Sequence, residues 1–169
     1  MRVPTLVMRP LGSTETTVGC VLRDYTGQDL AVTIPADDAF LIMLYLTDVE
    51  HSDIWPNRPP TPLRMYPRGS ICLISLSRGA SIAVQGTLEA LVIHLPRQHL
   101  SELADHTGEP AIDDLVTCRG MEDPTVRDIG AALLPLIDRD QADGSLINHI
   151  ALALNGYVAH RYGRSRRTH

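Results

Sequence analysis

Residues 69–103 read GSICLISLSRGASIAVQGTLEALVIHLPRQHLSEL, and this stretch decides the fold that the sequence predicts. It contains three short apolar runs, at residues 71–76, 81–84 and 88–95. The pairs Arg78-Gly79 and Gln85-Gly86, which are typical of turns, separate these runs. Strands joined by such short connections predict an antiparallel β-meander.

The pattern changes at Pro96, where the last apolar run ends. Proline suits the first turn of a helix, and Leu100 and Leu103 then form an apolar stripe on one side, which ends near Gly108. This pattern predicts a short helix over residues 96–105. A β-meander followed by a short helix is therefore the predicted core of the fold, on which the other segments must pack.

The segments before this stretch also favour strands. Residues 16–34 alternate between apolar and polar side chains and predict two strands joined by a turn at Thr26-Gly27. Residues 39–47 are apolar on both faces, as in a central strand that is buried on two sides. One face of that strand must point into the interior, and the pattern leaves two sets open: Phe40, Ile42 and Leu44, or Leu41, Met43 and Tyr45.

Residues 48–69 differ in kind because they contain five prolines. Proline cannot donate a backbone hydrogen bond to a sheet, so this segment predicts an edge hairpin or a semi-rigid flap rather than a central strand. The segment also holds the single tryptophan of the chain, Trp55. We expect the flap at residues 56–67 and an N-terminal arm at residues 1–15 to be the parts that move when a ligand binds.

The last third of the chain predicts two helices. After a predicted loop at residues 107–122, Asp123-Pro124 has the pattern of an N-cap followed by proline in the first turn. Ser145 can cap the next helix, and two helices joined by a short loop predict an antiparallel hairpin. Strands followed by helices predict an α+β domain, whose sheet closes into a small barrel with the helices outside.

The composition predicts one domain with an aliphatic core. Of the 169 residues, 44% are hydrophobic but only 4% are aromatic. No apolar run reaches the roughly 18 residues of a membrane-spanning helix, and the N-terminus lacks the pattern of a signal peptide. We therefore expect a cytoplasmic protein without a membrane partner. Three cysteines without a CxxC pair predict buried thiols rather than a metal or redox site.

Several segments, taken in order, resemble the N-terminal sensing and dimerisation region of AraC-family transcription regulators. They are DDAFLIMLYL, the WPNR hairpin, RGSICLISLSRGASIAVQGTLEALVIHLPRQHLSELAD, MEDPTVRDIGAALLP and HIALALNGYVAHRYG, and they extend from about residue 37 to residue 163. The strand-to-helix junction LVIHLPRQHL and the helix that begins with Asp-Pro carry most of the resemblance.

The resemblance implies a cupin-like antiparallel β-barrel that receives a small-molecule effector, followed by a helical hairpin that mediates homodimerisation. It divides the chain into an N-terminal arm (1–15), a barrel with its short helix (16–108), a hairpin (109–163) and a basic linker (164–169). In this family a double helix-turn-helix domain follows the hairpin and contacts DNA. These 169 residues leave no room for that domain, so we expect DNA contact only through a domain that this chain lacks.

The predicted ligand site lies inside the barrel, where such pockets are mostly apolar with a few polar groups. For each candidate a purely structural role is the alternative, such as filling the core for Tyr45 or anchoring the hairpin for Trp55. The candidate ligand-binding residues are Arg23, Met43, Tyr45, Trp55, Met65 and His94. Apolar residues lie beyond one face of the predicted hairpin, and this excess apolar surface predicts a two-fold dimer through its helices. The candidate dimer residues are Leu146, Ile147, Ile150, Leu154 and Val158.

The sequence does not predict metal, cofactor or nucleophilic chemistry. Its seven histidines include no His-x-His pair, and it contains neither a G-x-S-x-G motif nor a glycine-rich phosphate loop. We therefore assign no catalytic residue, no metal ligand and no cofactor. Two alternatives stay open: a stand-alone cupin-type enzyme, such as an isomerase or epimerase, with His94 and Tyr45 as its acid–base pair, and a dimerisation module with a filled barrel.

Overall fold

A computed structural model describes residues 5–8, 10–11, 14–24, 31–137 and 144–165. In chain order the strands are β1 (Thr5–Met8), β2 (Thr16–Asp24), β3 (Ala31–Ile34), β4 (Ala39–Tyr45), β5 (Val49–Asp53), β6 (Arg64–Tyr66), β7 (Ser70–Ser75), β8 (Ala80–Gln85), β9 (Thr87–Pro96), β10 (Asp114–Leu115), β11 (Cys118–Glu122) and β12 (Gly163–Arg164). The helices are α1 (Arg97–Thr107), α2 (Pro124–Ile137) and α3 (Gly144–Tyr162).

The strands form two main antiparallel sheets that face each other. The larger sheet has the spatial order β1-β2-β9-β4-β7-β11, and the smaller sheet has the order β3-β8-β5-β6. A separate two-stranded ribbon pairs β10 with β12. The strand β4 lies in the middle of the larger sheet and is buried along nearly its whole length, which confirms the prediction of a central strand.

The predicted meander is wrong, although all three of its strands exist. β7 and β9 both pair with β4, whereas β8 pairs with β3 and β5 in the other sheet. The tight turns at Gly79 and Gly86, both with positive φ, therefore carry the chain from one sheet to the other rather than between neighbouring strands. In the same way β2 and β3 lie in different sheets, and their predicted turn at Thr26-Gly27 lies outside the described residues.

The helices begin and end close to the predicted positions. The carboxylate of Asp123 accepts a hydrogen bond from the backbone N–H of Val126 at 3.1 Å, which confirms it as the N-cap of α2. Gly108 ends α1 in the left-handed conformation. The loop predicted at residues 107–122 is wrong in part, because β10 and β11 lie within it. Their short, mostly polar sequences have no apolar alternation, and they become strands only by pairing with β12 and β7.

The molecule has three layers, with the larger sheet in the middle. One apolar cluster joins the outer face of that sheet to residues of all three helices, and a second cluster lies between the two sheets. Phe40, Ile42 and Leu44 belong to the outer cluster, whereas Met43 and Tyr45 belong to the inner one. The structure therefore decides the phase of β4 that the sequence leaves open: Leu41, Met43 and Tyr45 face the interior.

The proline-rich segment forms an edge hairpin, as predicted. β5 and β6 pair with each other, and β6 is the last strand of the smaller sheet. Part of the predicted N-terminal arm is also a strand, since β1 pairs along β2. In the described part of the chain, none of the helices has the length and apolar character that crossing a membrane requires.

Candidate functional site

The space between the two sheets admits solvent. Met43 on β4 and Val92 on β9 belong to the inner cluster and lie on central strands of the larger sheet, yet both side chains are partly exposed. Ile82 on β8, between two strands of the smaller sheet, is partly exposed as well. In a filled sandwich such positions would be fully covered. These residues therefore form the apolar floor of an accessible interior site.

A buried polar cluster adjoins this floor, and His51 lies at its centre. The hydroxyl of Tyr45 lies 2.6 Å from Nε2 of His51 and 3.4 Å from Sγ of Cys72. The His51 ring stacks on Tyr66 with the centroids 4.1 Å apart, and Tyr66 in turn stacks on Tyr45. His51 and Tyr66 come from the smaller sheet, whereas Tyr45 and Cys72 come from the larger one. The cluster thus bridges the two sheets.

An ion pair between Arg119 and Asp53 also joins the sheets. Nη1 of Arg119, on β11, lies 2.9 Å from Oδ1 of Asp53, on β5. The same guanidinium lies 5.9 Å from the ring centroid of Trp55. The backbone of Asp53 is bonded to Thr61 in both directions: the N–H of Thr61 donates to the carbonyl of Asp53, and the N–H of Asp53 donates to the hydroxyl of Thr61. These two hydrogen bonds hold the proline-rich link against β5. Arg119 therefore fastens the hairpin to the edge of the larger sheet.

Burial sets the protonation states of the cluster. Burial, against the opposing effect of Asp53 and with smaller contributions from Arg119 and Arg64, lowers the pKa of His51 to about 4. Burial also raises the pKa of the Tyr45 phenol far above its usual range and raises the pKa of the Cys72 thiol. At neutral pH these three side chains are therefore neutral, and Cys72 is not a reactive thiolate.

The pKa of His51 predicts how stability depends on pH. In the unfolded chain a histidine has a pKa of about 6.5, whereas the folded value is about 4. Between these values the unfolded chain binds more protons, so His51 lowers the free energy of unfolding as pH falls from 6.5 to 4. The slope is at most about 1.4 kcal/mol per pH unit. Urea unfolding at a series of pH values measures it.

The matched variants for this prediction are His51→Gln and His149→Gln. The first removes one titrating group and should reduce the slope in that pH range, while His99, whose pKa burial also lowers, keeps part of it. His149 is exposed on α3, so its replacement should leave the slope unchanged. An equal slope in the wild-type and His51→Gln proteins would show that His51 is protonated as readily in the folded chain as in the unfolded one.

The structure places three of the predicted ligand residues on the inner face of the larger sheet: Met43, Tyr45 and His94. His94 lies away from the His51 cluster, with Nε2 2.7 Å from Oδ2 of Asp37, and this hydrogen bond lowers the pKa of Asp37. The predicted acid–base pair of His94 and Tyr45 does not form. In the register of β4 and β9, Tyr45 is opposite Ala90, and His94 lies four residues farther along β9. The hydroxyl of Tyr45 instead bonds to His51.

Two other predicted ligand residues, Met65 and Trp55, do not line the interior floor. Met65 is 49% exposed, because alternation along β6 turns Tyr66 inward and Met65 outward. Trp55 is 40% exposed and lies in the link between β5 and β6, beside Arg119. Arg23 lies on β2 opposite Leu88, and its side chain is outside the described part of the structure.

Sequence reasoning missed His51, Asp53 and Arg119. A signal for the first two exists, because VEHSD alternates and sets Val49, His51 and Asp53 on one face of β5. The prolines that follow made the whole segment look like a flap. No local signal marks Arg119, which reaches Asp53 only because β11 pairs with β7. Within the described residues, no group of three His, Cys, Asp or Glu side chains is arranged to hold a metal ion.

Most of the predicted dimer residues on α3 serve the core of the chain itself. Ile147, Leu154 and Val158 are buried against the larger sheet and the other helices. Leu146 is 47% exposed, and Ile150 is partly exposed. Only these last two of the five predicted residues are therefore accessible to a partner, and the dimer stays a prediction.

A second concave site lies outside the sandwich, between α2 and the outer face of the larger sheet. This groove has a volume of about 620 Å³. Leu44, Leu46, Leu134 and Ile137 supply apolar walls, and charged side chains stand around them. The charged lining residues are Arg68, Glu89, Arg127 and Asp128.

Comparison with known proteins identifies the fold. No protein-family model and no curated protein matches the chain. Among solved structures, apo ToxT K231A from Vibrio cholerae matches with a TM-score of 0.53 and 9% identity, over 86% of this chain and 56% of that one. A putative ethanolamine utilization protein Q from Salmonella typhimurium matches with a TM-score of 0.39 and 15% identity, over 54% of this chain and 66% of that one.

An RmlC-like cupin protein from Desulfovibrio desulfuricans matches with a TM-score of 0.37 and 15% identity, over 56% of this chain and 83% of that one. The chain thus spans just over half the length of ToxT and about two thirds of the length of the ethanolamine utilization protein. At such identities the likeness concerns the fold alone. The chain has a β-sandwich of two antiparallel sheets with three helices, and it shares this fold with ToxT.

Proposed function

We propose that this chain is the effector-sensing and homodimerisation domain of an AraC-type transcription regulator, and that it binds a small molecule between the two sheets. The partial exposure of Met43, Val92 and Ile82 on inward-facing central strands carries this proposal. An apolar floor beside a few buried polar groups is the usual composition of a small-molecule site. Support at the level of the fold comes from ToxT, which is an AraC-family regulator.

In this proposal α2 and α3 form the antiparallel hairpin through which two copies associate. Tyr157 and Tyr162, in the last turns of α3, donate hydrogen bonds to Asp123 at the start of α2, which supports an antiparallel arrangement. The exposed Leu146 and the partly exposed Ile150 supply apolar surface for a second copy. Contact with DNA is made by a helix-turn-helix domain that these residues do not include.

A chain of ion pairs offers a route from the interior site to the end of α3. Beside Asp37, which binds His94, Asp38 lies 3.0 Å from Nε of Arg97. Arg97 also lies 3.6 Å from Asp114, which pairs at 2.8 Å with Arg164 on β12. Exposed pairs of this kind contribute little to stability. Their proposed role is to couple the interior site to β12. An effector that binds one arrangement of these ion pairs more tightly than another would shift the position of β12.

A stand-alone isomerase or epimerase is the second candidate. The 2.6 Å contact of Tyr45 with His51 favours it, because acid–base catalysis needs proton donors and acceptors within hydrogen-bond reach. The protonation states oppose it. A catalytic pKa is most effective near the working pH, whereas the pKa of His51 is lowered to about 4 and that of Tyr45 is strongly raised. We therefore favour the sensor.

A thermal-shift screen against a library of small polar and apolar metabolites tests the proposal. The wild-type protein should show a raised melting temperature with at least one compound, because only a ligand of the folded state stabilises it. Met43→Trp fills the interior floor and should reduce that shift by more than half. Met65→Trp adds the same side chain on the outward face of β6 and should keep the full shift.

The outcomes separate the candidate functions. A compound that stabilises Met43→Trp as well as the wild type binds elsewhere, for example in the groove beside α2, and contradicts the interior site. Mass spectrometry of each stabilising compound after incubation detects turnover. A compound that is converted by the wild type but not by His51→Gln would establish the enzyme and overturn the sensor.

A further inference from the structure

We propose that the interior site takes a neutral ligand with an apolar body and a hydroxyl group, and that this hydroxyl binds between Nδ1 of His51 and Oδ1 of Asp53. The inference rests on the proposed small-molecule site and names the chemistry of its ligand. It follows from two buried polar atoms that lie side by side and lack hydrogen-bond partners.

The first of these atoms is Nδ1 of His51. The residue is 2% exposed, and Nδ1 has no hydrogen-bond partner in the described part of the chain. The second is Oδ1 of Asp53, in a residue that is 7% exposed. Arg119 lies 2.9 Å from this oxygen, but the geometry is that of an ion pair without an aligned hydrogen bond. Buried polar groups in proteins nearly always have hydrogen-bond partners, so a histidine nitrogen without one, beside a carboxylate oxygen held only by an ion pair, needs an explanation.

The spacing of the two atoms fits a single oxygen. Nδ1 of His51 and Oδ1 of Asp53 are 3.8 Å apart, which is too far for a direct hydrogen bond and close enough for one oxygen atom to reach both. The adjacent carboxylate favours the proton on Nδ1. In that tautomer Tyr45 donates its hydroxyl hydrogen to Nε2, with Sγ of Cys72 at 3.4 Å from the same oxygen. A ligand hydroxyl then accepts from Nδ1–H and donates to Asp53.

The charges around the gap select a neutral ligand. The positive charge of Arg119 is matched by Asp53, and His51 carries no charge at neutral pH. Arg64, the other nearby cation, is exposed and lies over the Tyr66 ring at 5.0 Å. A ligand carboxylate at this position would stand beside the Asp53 carboxylate, and a ligand cation would stand beside Arg119. Both arrangements are repulsive.

The apolar floor adjoins the gap and gives the ligand its second property. In the sheet registers Asp53 is directly opposite Ile82, and Cys72 is directly opposite Met43. A ligand whose hydroxyl reaches His51 therefore places its remaining atoms against Ile82 and Met43. Nδ1 of His51 and Oδ1 of Asp53 are both inaccessible to solvent in the free protein, so the ligand hydroxyl reaches them only when the surrounding side chains move apart.

Three small probes of similar shape test this inference: phenol, toluene and benzoate, each at neutral pH. Binding is followed by NMR as a shift of the Met43 methyl signal in protein labelled at its methionine methyl groups, with assignment by Met43→Leu. The Met65 methyl, which faces away from the interior, is the internal control. We expect phenol to bind at least ten times more tightly than toluene and benzoate, with no shift at Met65.

His51→Phe provides the second arm, because phenylalanine keeps the stacking on Tyr66 and removes both ring nitrogens. In this variant we expect phenol to bind about as weakly as toluene. The wild-type comparison of the three probes stands by itself if the variant does not fold.

Each outcome decides one point. If no probe shifts Met43, the interior does not admit a ligand, and both the proposed function and this inference fail. If toluene or benzoate binds as tightly as phenol, the hydroxyl site fails while the interior pocket stands. A preference for phenol that persists in His51→Phe assigns the hydroxyl to other groups and likewise overturns the inference.

Discussion

Replacing Asp123 by Ala is expected to lower the free energy of unfolding by about 3 kcal/mol. The Asp123 side chain is buried and accepts three hydrogen bonds: from the backbone N–H of Val126 at 3.1 Å, from Tyr157 at 3.1 Å and from Tyr162 at 2.5 Å. Losing an N-cap costs about 1 kcal/mol. Leaving the buried hydroxyl of Tyr162 with only the weak acceptor Sδ of Met121, 3.4 Å away, adds about 1 to 3 kcal/mol. Urea unfolding measures the sum.

Asp128→Ala is the matched control for this prediction. Asp128 lies on the same helix but is exposed, and its ion pair at 3.2 Å is with the adjacent Arg127. Its loss should change stability by no more than about 0.5 kcal/mol. Asp123→Asn keeps an oxygen acceptor and should fall between the two. Equal effects of Asp123→Ala and Asp128→Ala would show that the buried carboxylate does not hold α2 and α3 together.

Replacing Gly130 by Val is expected to lower the free energy of unfolding by about 3 kcal/mol, the upper end of the cost of overpacking a core. Gly130 lies on the face of α2 that packs against the larger sheet. A Cβ atom there would lie 2.6 Å from Cδ2 of Leu44 and 3.2 Å from Cδ2 of Leu91. Both leucines are buried, so neither can move aside without displacing its own neighbours. The helix would have to shift away from the sheet.

Gly156→Ala, on α3, should have the opposite sign. A Cβ at Gly156 would have no neighbour within 4 Å, so the gain in helix propensity remains and raises stability by about 0.5 to 1 kcal/mol. The same urea experiment measures both glycine variants. If Gly130→Val were as stable as the wild type, close contact between α2 and the sheet would not be part of the structure in solution.

The close contact of α2 with the sheet also bears on the proposed function. Ile42 and Met43 are neighbours on β4, yet Ile42 packs in the cluster beneath the helices and Met43 faces the interior site. A ligand that contacts Met43 therefore acts on the strand against which the helices pack. In the proposed function this strand connects the ligand to α2, and α2 in turn packs against α3, which carries the surface proposed for homodimerisation.

The local sequence determined several elements of the fold. Residues 39–47 are apolar on both faces, and the corresponding strand β4 is central and buried. Asp123-Pro124 begins a helix because the capping carboxylate and the fixed φ of proline act within a few residues of the chain. The prolines after Trp55 confine their segment to a sheet edge, because a missing N–H is a local property.

Tertiary structure alone decided which strands pair and which side chains meet. Gly79 and Gly86 predict tight turns, but such turns occur both in a meander and where the chain crosses between two sheets. The turn residues therefore do not specify which strands pair. The inward phase of β4 and the contact of Arg119 with Asp53 likewise depend on pairing between distant segments. The sequence by itself determined the positions of the central strand and of the three helices, because those signals are local, whereas β10 and β11 are strands only through their pairing with β12 and β7. The tertiary structure assembled the His51 cluster, because its members come from strands of two different sheets.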